Sequence, residues 1–305
     1  MFTHLLVPLD GSPQAEPAVP AAIWLARRHA AAVTVLHLVE PAPPEQVHGA
    51  PHLRGPEEAA AYLDGVLRRY AAPGLALHAH VHPVGTADVA QGIVAELQEL
   101  GGDAVVMSRQ GPSGWRGWLM GNLMQQVAAK ATLPVLLVRP GPAGAEPFAC
   151  TRILMPHDEA PEHEPALEVG VAFAQICAAE VRLLRVVPTR GTLSGKELPT
   201  SEMLPTATAA MLDLEQAEAV RQLEAHRAAL ERQGVSATGE LMRGDPVRCI
   251  MEASRRYRPD VIAMGTHGRA GTEAFWAGSV AARVCDRSSA SVLLVPLAKP
   301  AWPTA

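Results

Sequence analysis

The sequence predicts an α/β fold of two tandem domains, each a five-stranded, mostly parallel sheet with helices on both faces. Three observations predict it: the chain repeats itself, short β-branched runs alternate with longer segments of helical period, and some of those runs are apolar throughout. Alternating strands and helices require right-handed crossovers, which place helices on both sides of an open, doubly wound sheet. The length of 305 residues also fits about two domains.

The repeat appears as two constant offsets. An offset of 148 residues superposes LLVPLD at 5–10 on ILMPHD at 153–158. An offset of 157 residues superposes DAVVM at 103–107 on DVIAM at 260–264. The offsets differ by nine residues, so the second copy carries a net insertion, which we place in the polar stretch at about 188–208.

A linker separates the two copies. Residues 139–147 read RPGPAGAEP, and such a density of proline and glycine cannot continue a helix or an interior strand. We therefore predict a first domain at residues 1–140 and a second at 149–305.

Each copy contains five predicted strands. They are 3–9, 33–39, 75–82, 103–108 and 134–138 in the first copy, and 151–157, 180–187, 235–242, 260–264 and 290–295 in the second. The segments between them, such as 13–31 and 208–233, repeat apolar residues at helical spacing. The runs 33–35 and 292–295 are typical of strands buried on both faces. Because ligands of such sheets bind at the carboxyl ends of the strands, the residues that follow each strand are the candidate site.

Composition and charge exclude several classes of protein. The 26 Lys and Arg against 31 Asp and Glu give a net charge of -5 without a basic block, which argues against a general nucleic-acid binder. No apolar run approaches the roughly 18 residues that cross a bilayer, and the N-terminus reads as a strand rather than a signal peptide. The four cysteines are far apart, as small buried residues in a reducing compartment would be. We expect a soluble, cytoplasmic protein with no membrane or nucleic-acid partner.

A glycine-rich segment follows the fourth strand of the second copy. Gly265 and Gly268 allow a tight turn and a close approach to a ligand. Gly278 and Ser279 open a helix whose exposed N–H groups and positive dipole end attract anions, and the Arg269 guanidinium adds donors. A phosphate chain fits these requirements, although glycines and a serine cap are also ordinary loop chemistry.

This spacing, GTHG at 265–268 followed after nine residues by GS at 278–279, resembles the ATP-binding motif G-x2-G-x9-G-[S/T] of the universal stress protein family. The resemblance covers nearly the whole chain, once per copy, and includes PHD at 156–158, Val186 and the GDP turn at 244–246. It implies a Rossmann-like fold of the adenine nucleotide alpha hydrolase type, binding of ATP or a related adenine nucleotide with or without Mg²⁺, and pairing of two such domains.

The resemblance also implies roles for single residues. Asp158, with Pro156 and His157, lies at the adenosine end, and the backbone of Val186 contacts adenine. The ribose and phosphates are lined by Met264, Gly265, His267, Gly268, Arg269, Gly278, Ser279 and Val280. A second interpretation of Asp158, as a cap of the helix that begins near Pro161, can coexist with the first.

The first copy departs from the motif at two positions. Ser108 replaces the first glycine, and Asn122 replaces the hydroxyl residue. The weaker candidate positions of this copy are Asp10, Leu38, Ser108, Gly111, Gly121 and Asn122. We predict that the second copy binds nucleotide more tightly and that the site of the first copy is weakened or empty.

Two clusters contain the residue types that bind metals. His78, His80 and His82 alternate along a predicted strand at steps of roughly 6.5 Å, close enough for two imidazoles to share an ion. Without an accompanying carboxylate motif we interpret them as the polar face of an edge strand. The acids at 158–164 are interpreted as complementing a helix N-terminus. No metal site is assigned.

No catalytic signature accompanies the glycine-rich segment. The chain has no Gly-x-Ser-x-Gly elbow, no Walker Gly-Lys-[Ser/Thr] and no His-Glu-x-x-His helix. Without a general base, we expect at most weak ATP hydrolysis or autophosphorylation. The leading hypothesis is an adenine-nucleotide-binding regulatory module of the stress response that acts on an unknown protein partner. The alternatives are a slow ATP hydrolase or adenylyl-transferring enzyme that uses Asp158 and Glu273, and an interaction protein that binds no nucleotide.

The fifth strands of the two copies form the expected pairing edge. Residues 136–138 and 293–295 both read LLV, and an unpaired apolar edge invites aggregation. We therefore expect an internal pseudo-dimer, and the sequence leaves open a homodimer of whole chains.

Overall fold

The computed structural model describes residues 1–41, 43–47, 49–83, 88–109, 123–140, 148–158, 160–192, 204–266 and 279–297. The described chain forms two compact units. The first contains the described parts of 1–149 and 291–297 together with Thr266, and the second contains those of 150–265 and 279–290.

Within its described ranges, the first copy supplies seven strands and four helices to the first unit. The strands are β1 (His4–Pro8), β2 (Ala32–Val39), β3 (Gln46–Val47), β4 (Ala50–Pro51), β5 (Ala76–Pro83), β6 (Ala104–Ser108) and β7 (Val135–Val138). The helices are α1 (Ala18–His29), α2 (Pro56–Tyr70), α3 (Val89–Glu99) and α4 (Leu123–Lys130). The short strands β3 and β4 form a separate two-stranded sheet.

In the described residues, the second copy contains five strands and four α-helices. The strands are β8 (Arg152–Pro156), β9 (Glu180–Val187), β10 (Ala237–Arg243), β11 (Val261–Thr266) and β12 (Ser291–Pro296). The helices are α5 (Glu164–Cys177), α6 (Pro205–Arg232), α7 (Pro246–Tyr257) and α8 (Val280–Arg287). The strand order is β12-β7-β6-β1-β2-β5 in the first unit and β10-β9-β8-β11 in the second.

Strand pairing reproduces the repeat found in the sequence. Leu5 of β1 pairs in parallel with Val33 and with Ala104. Ile153 of β8, its counterpart in the second copy, pairs in parallel with Val181 and Val261. The same two offsets therefore relate the registers of both copies, and the predicted α/β fold with mostly parallel sheets is confirmed.

The last strand of the chain lies in the first unit. β12 pairs antiparallel with β7, and Leu293 lies opposite Leu136. The backbone N–H of Arg139 also donates to Ser291 Oγ at 3.1 Å. The expected pairing of the two LLV segments is confirmed, and it covers an apolar strand edge that would otherwise invite association.

Element boundaries differ from the prediction in two places that matter. All ten predicted strands lie within two residues of their positions, but β11 continues through Thr266 instead of ending at Met264. Helix α1 begins at Ala18 rather than near residue 13, because turns join Ser12 to Ala15 and Ala15 to Ala18. The small β3–β4 hairpin was not predicted, since two-residue strands leave no periodicity.

The two runs predicted to be buried on both faces of a sheet are buried in the structure. Val33, Thr34 and Val35 are buried, as is the whole of β12. The four cysteines are buried as well. No helix in the described part of the chain is both long and apolar enough to cross a membrane.

Candidate functional site

The ends of β8 and β9 bring the predicted adenosine residues to one edge of the second unit. Beyond Pro156, the last residue of β8, the backbone N–H of His157 donates to the carbonyl of Leu184 on β9 at 3.0 Å. Val186 stands two residues beyond Leu184 on the same strand. The first unit has the matching bond, from Leu9 N–H to the carbonyl of Leu36 at 2.8 Å.

Asp158 is held by its neighbours as an ionised carboxylate. Its Oδ1 accepts the Ala160 N–H at 3.3 Å and a short hydrogen bond from His163 Nδ1. Burial alone raises the pKa of the Asp158 carboxyl, but the hydrogen bond and charge of His163 outweigh it, and the net pKa lies below its usual value. The carboxylate closes the turn ahead of the short 3-10 helix Pro161–His163, while the N-terminus of α5 has no side-chain cap. The side chain is 55% exposed, which leaves room for further hydrogen bonds to its oxygens.

His157 and His226 form an imidazole pair beside Asp158. Their rings pack edge to face with centroids 5.2 Å apart. The Nε2 atoms of both rings lie 3.9 Å from Glu164 Oε2. His226 could not be predicted from the sequence, because it lies on α6, far along the chain from His157, and no motif spacing connects the two residues.

The largely buried His157 makes folding sensitive to acid. Burial, followed by the positive field of His226, lowers the pKa of His157 from 6.5 to about 4. Between those two pH values the unfolded chain binds more protons than the folded chain. The free energy of unfolding therefore has its full value above about pH 6.5 and decreases as the pH drops toward 4. At about 1.4 kcal/mol for each pKa unit, the free energy of unfolding decreases by an amount on the order of 3 kcal/mol.

We expect His157→Gln to remove this part of the acid sensitivity. Urea unfolding at several pH values checks it, because the wild type and the variant should diverge below pH 6.5 and run parallel above it. Curves that stay parallel down to pH 4 would show that His157 does not titrate as inferred.

The glycine-rich segment begins later than predicted. Met264 and Gly265 lie inside β11, and the Leu297 N–H donates to the Thr266 carbonyl at 2.9 Å, which keeps the chain extended there. The expectation that Gly265 makes the turn is therefore wrong, and its missing Cβ matters only for close approach of a ligand. His267, Gly268, Arg269, Gly278 and Glu273 lie outside the described residues.

Ser279 is the N-cap of α8. Its Oγ accepts the Ala282 N–H at 3.1 Å, and the Arg283 N–H bonds the Ser279 carbonyl at 3.2 Å. The first N–H groups of the helix, on Val280 and Ala281, have no acceptor within the helix itself, and the Ser279 hydroxyl still has a proton to donate. The helix start thus presents several donors and a positive dipole end, which suit an anionic oxygen.

The Gly244–Pro246 turn places a second helix start nearby in the same unit. Gly244 has a φ of +139°, Pro246 is the first helical residue of α7, and Asp245 caps that helix by accepting the Arg248 N–H at 2.8 Å. Arg283 of α8 lies 3.9 Å from Asp245 Oδ2. This contact between α7 and α8 was not anticipated from the sequence, because it joins distant elements.

The corresponding region of the first unit is covered by its own side chains. Asp10 accepts the Ser12 N–H at 2.9 Å, as Asp158 does with Ala160. Leu53 packs on Gly11 so closely that a Cβ there would lie 2.8 Å from Leu53 Cγ. His52 packs obliquely on buried His37, with ring centroids 6.0 Å apart.

The remaining first-copy positions divide into described and undescribed residues. Leu38 is buried in β2, and Ser108 ends β6 opposite Val138 with its hydroxyl buried and no hydrogen-bond partner in the described chain. Gly111, Gly121 and Asn122 lie outside the described residues.

A protein-family model matches most of this chain, and two individual relatives match parts of it. The model of the Universal stress protein family matches residues 1–139 and 150–296. Universal stress protein YxiE of Bacillus subtilis (strain 168) is 26% identical over 154 residues, which cover 46% of this chain and 100% of that protein. Universal stress protein MJ0531 of Methanocaldococcus jannaschii is 38% identical over 65 residues, but the match spans only 21% of this chain and 38% of that relative.

Solved structures share the complete tandem fold. A universal stress protein from Archaeoglobus fulgidus DSM 4304 has a TM-score of 0.69 at 16% identity, and 97% of each chain is covered. A putative universal stress protein from Pseudomonas aeruginosa UCBPP-PA14 has a TM-score of 0.68 at 17% identity, with 96% of this chain and 93% of that chain covered. At such identities the likeness concerns the fold alone.

Proposed function

Because this chain belongs to the universal stress protein family, we propose that its second copy binds an adenine nucleotide, with ATP as the first candidate. Bound nucleotide contacts the glycine-rich segment between Gly265 and Gly278, and a regulatory partner protein recognises the surface that the bound nucleotide changes. The protein thereby acts as a cytoplasmic regulatory module of the stress response rather than as a fast enzyme.

The N-terminus of α8 is the observation that carries this proposal. It follows the G-x2-G-x9-G-S motif, and its first N–H groups together with the Ser279 hydroxyl are donors with no helical partner. A triphosphate supplies the negative oxygens that these donors need. The proposed phosphate and ribose contacts are Met264, Gly265, His267, Gly268, Arg269, Gly278, Ser279 and Val280.

The adenosine end is proposed at the ends of β8 and β9. The ionised, half-exposed Asp158 carboxylate accepts hydrogen bonds from ribose hydroxyls. Pro156 and His157 line the proposed site next to Asp158, and the backbone of Val186 contacts the adenine ring. The hydrogen bond from His163 orients the Asp158 carboxylate for this role.

The two copies are proposed to differ in affinity. We place the functional domains at 1–140 and 149–305, with the tight site in the second. In the first, Leu53 fills the space beside Gly11, and Ser108 replaces the glycine that lets a ligand approach the backbone. A nucleotide would have to displace Leu53 to occupy the first copy.

Calorimetric titration of the intact chain with ATP tests the proposal. We expect one tight site per chain, and the first copy should add at most a weaker one. The absence of any binding heat with ATP and with other adenine nucleotides would contradict the proposal, and two equal sites would contradict the asymmetry.

Hydrolysis of bound ATP is expected to be slow. In the described chain, Ser279 makes no hydrogen bond to a carboxylate or imidazole that could act as a general base. The His163 hydrogen bond occupies one oxygen of Asp158, the described candidate ligand for Mg²⁺. Steady-state phosphate release should stay below about one turnover per minute, far under common enzyme rates of 1–10³ s⁻¹. Faster release that disappears in Asp158→Asn would instead identify a hydrolase.

A further inference from the structure

A buried carboxylate lies behind the edge strand of the first unit. Glu96 of α3 is only 3% exposed, and it faces β5, the last strand in the sheet order of that unit. Burying a carboxylate is unfavourable unless a cation or several donors compensate its charge. The groups that face Glu96 therefore decide what this site binds.

Two histidines of β5 converge on Glu96. His80 Nε2 lies 2.9 Å from Glu96 Oε2, and His82 Nδ1 lies 3.1 Å from Glu96 Oε1. The two rings are stacked, with centroids 6.1 Å apart and planes inclined at 27°. The sequence around these histidines contains no carboxylate motif, and the carboxylate is instead supplied by a helix that follows the strand.

The closest of these contacts lacks the geometry of a hydrogen bond. Despite their separation of 2.9 Å, His80 Nε2 and Glu96 Oε2 are both buried atoms without a hydrogen-bond partner in the described part of the chain. Neither buried atom therefore has a hydrogen-bond partner among the described residues that offsets its loss of solvent, and a cation bound between them would offset that loss.

The donor set is that of a zinc site. Two imidazole nitrogens and one carboxylate oxygen, all within 4.8 Å of one another, can surround an ion whose bonds are about 2.0–2.2 Å long. A His₂Glu set leaves the fourth tetrahedral position for water or an exogenous ligand. The side chains of His80 and His82 are 35% and 41% exposed, so the cluster lies close to the protein surface.

We propose that His80, His82 and Glu96 form a divalent transition-metal site that binds Zn²⁺ and fastens β5 to α3. The site belongs to the first copy alone, because the matching strand β10 of the second copy, with sequence ATGELMR, has no histidine. It is separate from the nucleotide proposal, and neither depends on the other.

The zinc content of the tag-free, full-length chain tests this site. After equilibrium dialysis against micromolar Zn²⁺, Glu96→Gln and the double variant His80→Ala/His82→Ala should each retain one ion fewer per chain than the wild type. His78→Ala is the matched control, since His78 is an exposed residue of the same strand outside the cluster. It should bind as the wild type does. Affinity at this site should fall at least about 10-fold in the two ligand variants.

A thermal readout separates metal binding from misfolding. Zn²⁺ should raise the Tm of the wild type and of His78→Ala but not that of Glu96→Gln, which keeps the size and shape of the side chain. The proposal is overturned if Glu96→Gln and the double variant retain the wild-type number of ions, or if His78→Ala loses as much as they do. Zinc bound elsewhere in the chain does not affect this comparison, because only the difference of one ion is scored.

Discussion

Ser279→Asp is expected to abolish ATP binding while the protein stays folded. Aspartate is as good an N-cap as serine and interacts favourably with the helix dipole, so α8 should form normally. Its carboxylate, however, stands where a phosphate oxygen would bind and repels it. We expect an affinity loss of at least about 100-fold, which corresponds to about 2.8 kcal/mol.

Calorimetric titration together with far-UV circular dichroism checks this expectation. Ser279→Thr is the matched control, because it keeps the hydroxyl and the cap and satisfies the G-[S/T] end of the motif. A Ser279→Asp protein that binds ATP as tightly as the Ser279→Thr control would show that the phosphates lie elsewhere.

Leu293→Ala should destabilise the protein strongly even though Leu293 lies near the end of the chain. The side chain is 0% exposed in β12 and stands opposite Leu136 of β7. Truncating a buried leucine removes its transfer free energy and leaves a cavity, which together cost about 2–5 kcal/mol. Because β12 pairs with β7, a strand of the first copy, the substitution should also reduce the protection of β7 against amide hydrogen exchange.

Urea unfolding and amide hydrogen exchange measure both effects. The control is Leu214→Ala, whose side chain is 72% exposed on α6 and should change stability by less than about 0.5 kcal/mol. If Leu293→Ala loses no more than Leu214→Ala, or if protection of residues 135–138 is unchanged, β12 does not contribute as the structure indicates.

Patterns confined to one strand or one repeat could be predicted from the sequence. The two constant offsets of the repeat identify which strands correspond, and the strand pairs Leu5–Val33 and Ile153–Val181 are related by them. The apolar LLV segments predicted the pairing of β7 with β12 for a simple reason: an apolar edge must be covered.

Contacts between side chains of different elements could not be predicted. Glu96 meets His80 and His82 only because the fold brings α3 close to β5, and the sequence does not indicate which acid on a helix will be buried. His226 of α6 reaches His157 beyond β8 for the same reason. The position of Gly265 inside β11 was missed because a strand end depends on its pairing partners rather than on the local sequence.

Mass spectrometry of the small molecules released from freshly purified full-length protein tests the central claim most directly. Wild-type protein should release an adenine nucleotide at up to about one molecule per chain, and Ser279→Asp purified in parallel should release almost none. Wild-type protein that carries no adenine nucleotide and takes up none when ATP is added, or equal release from both proteins, would contradict the account.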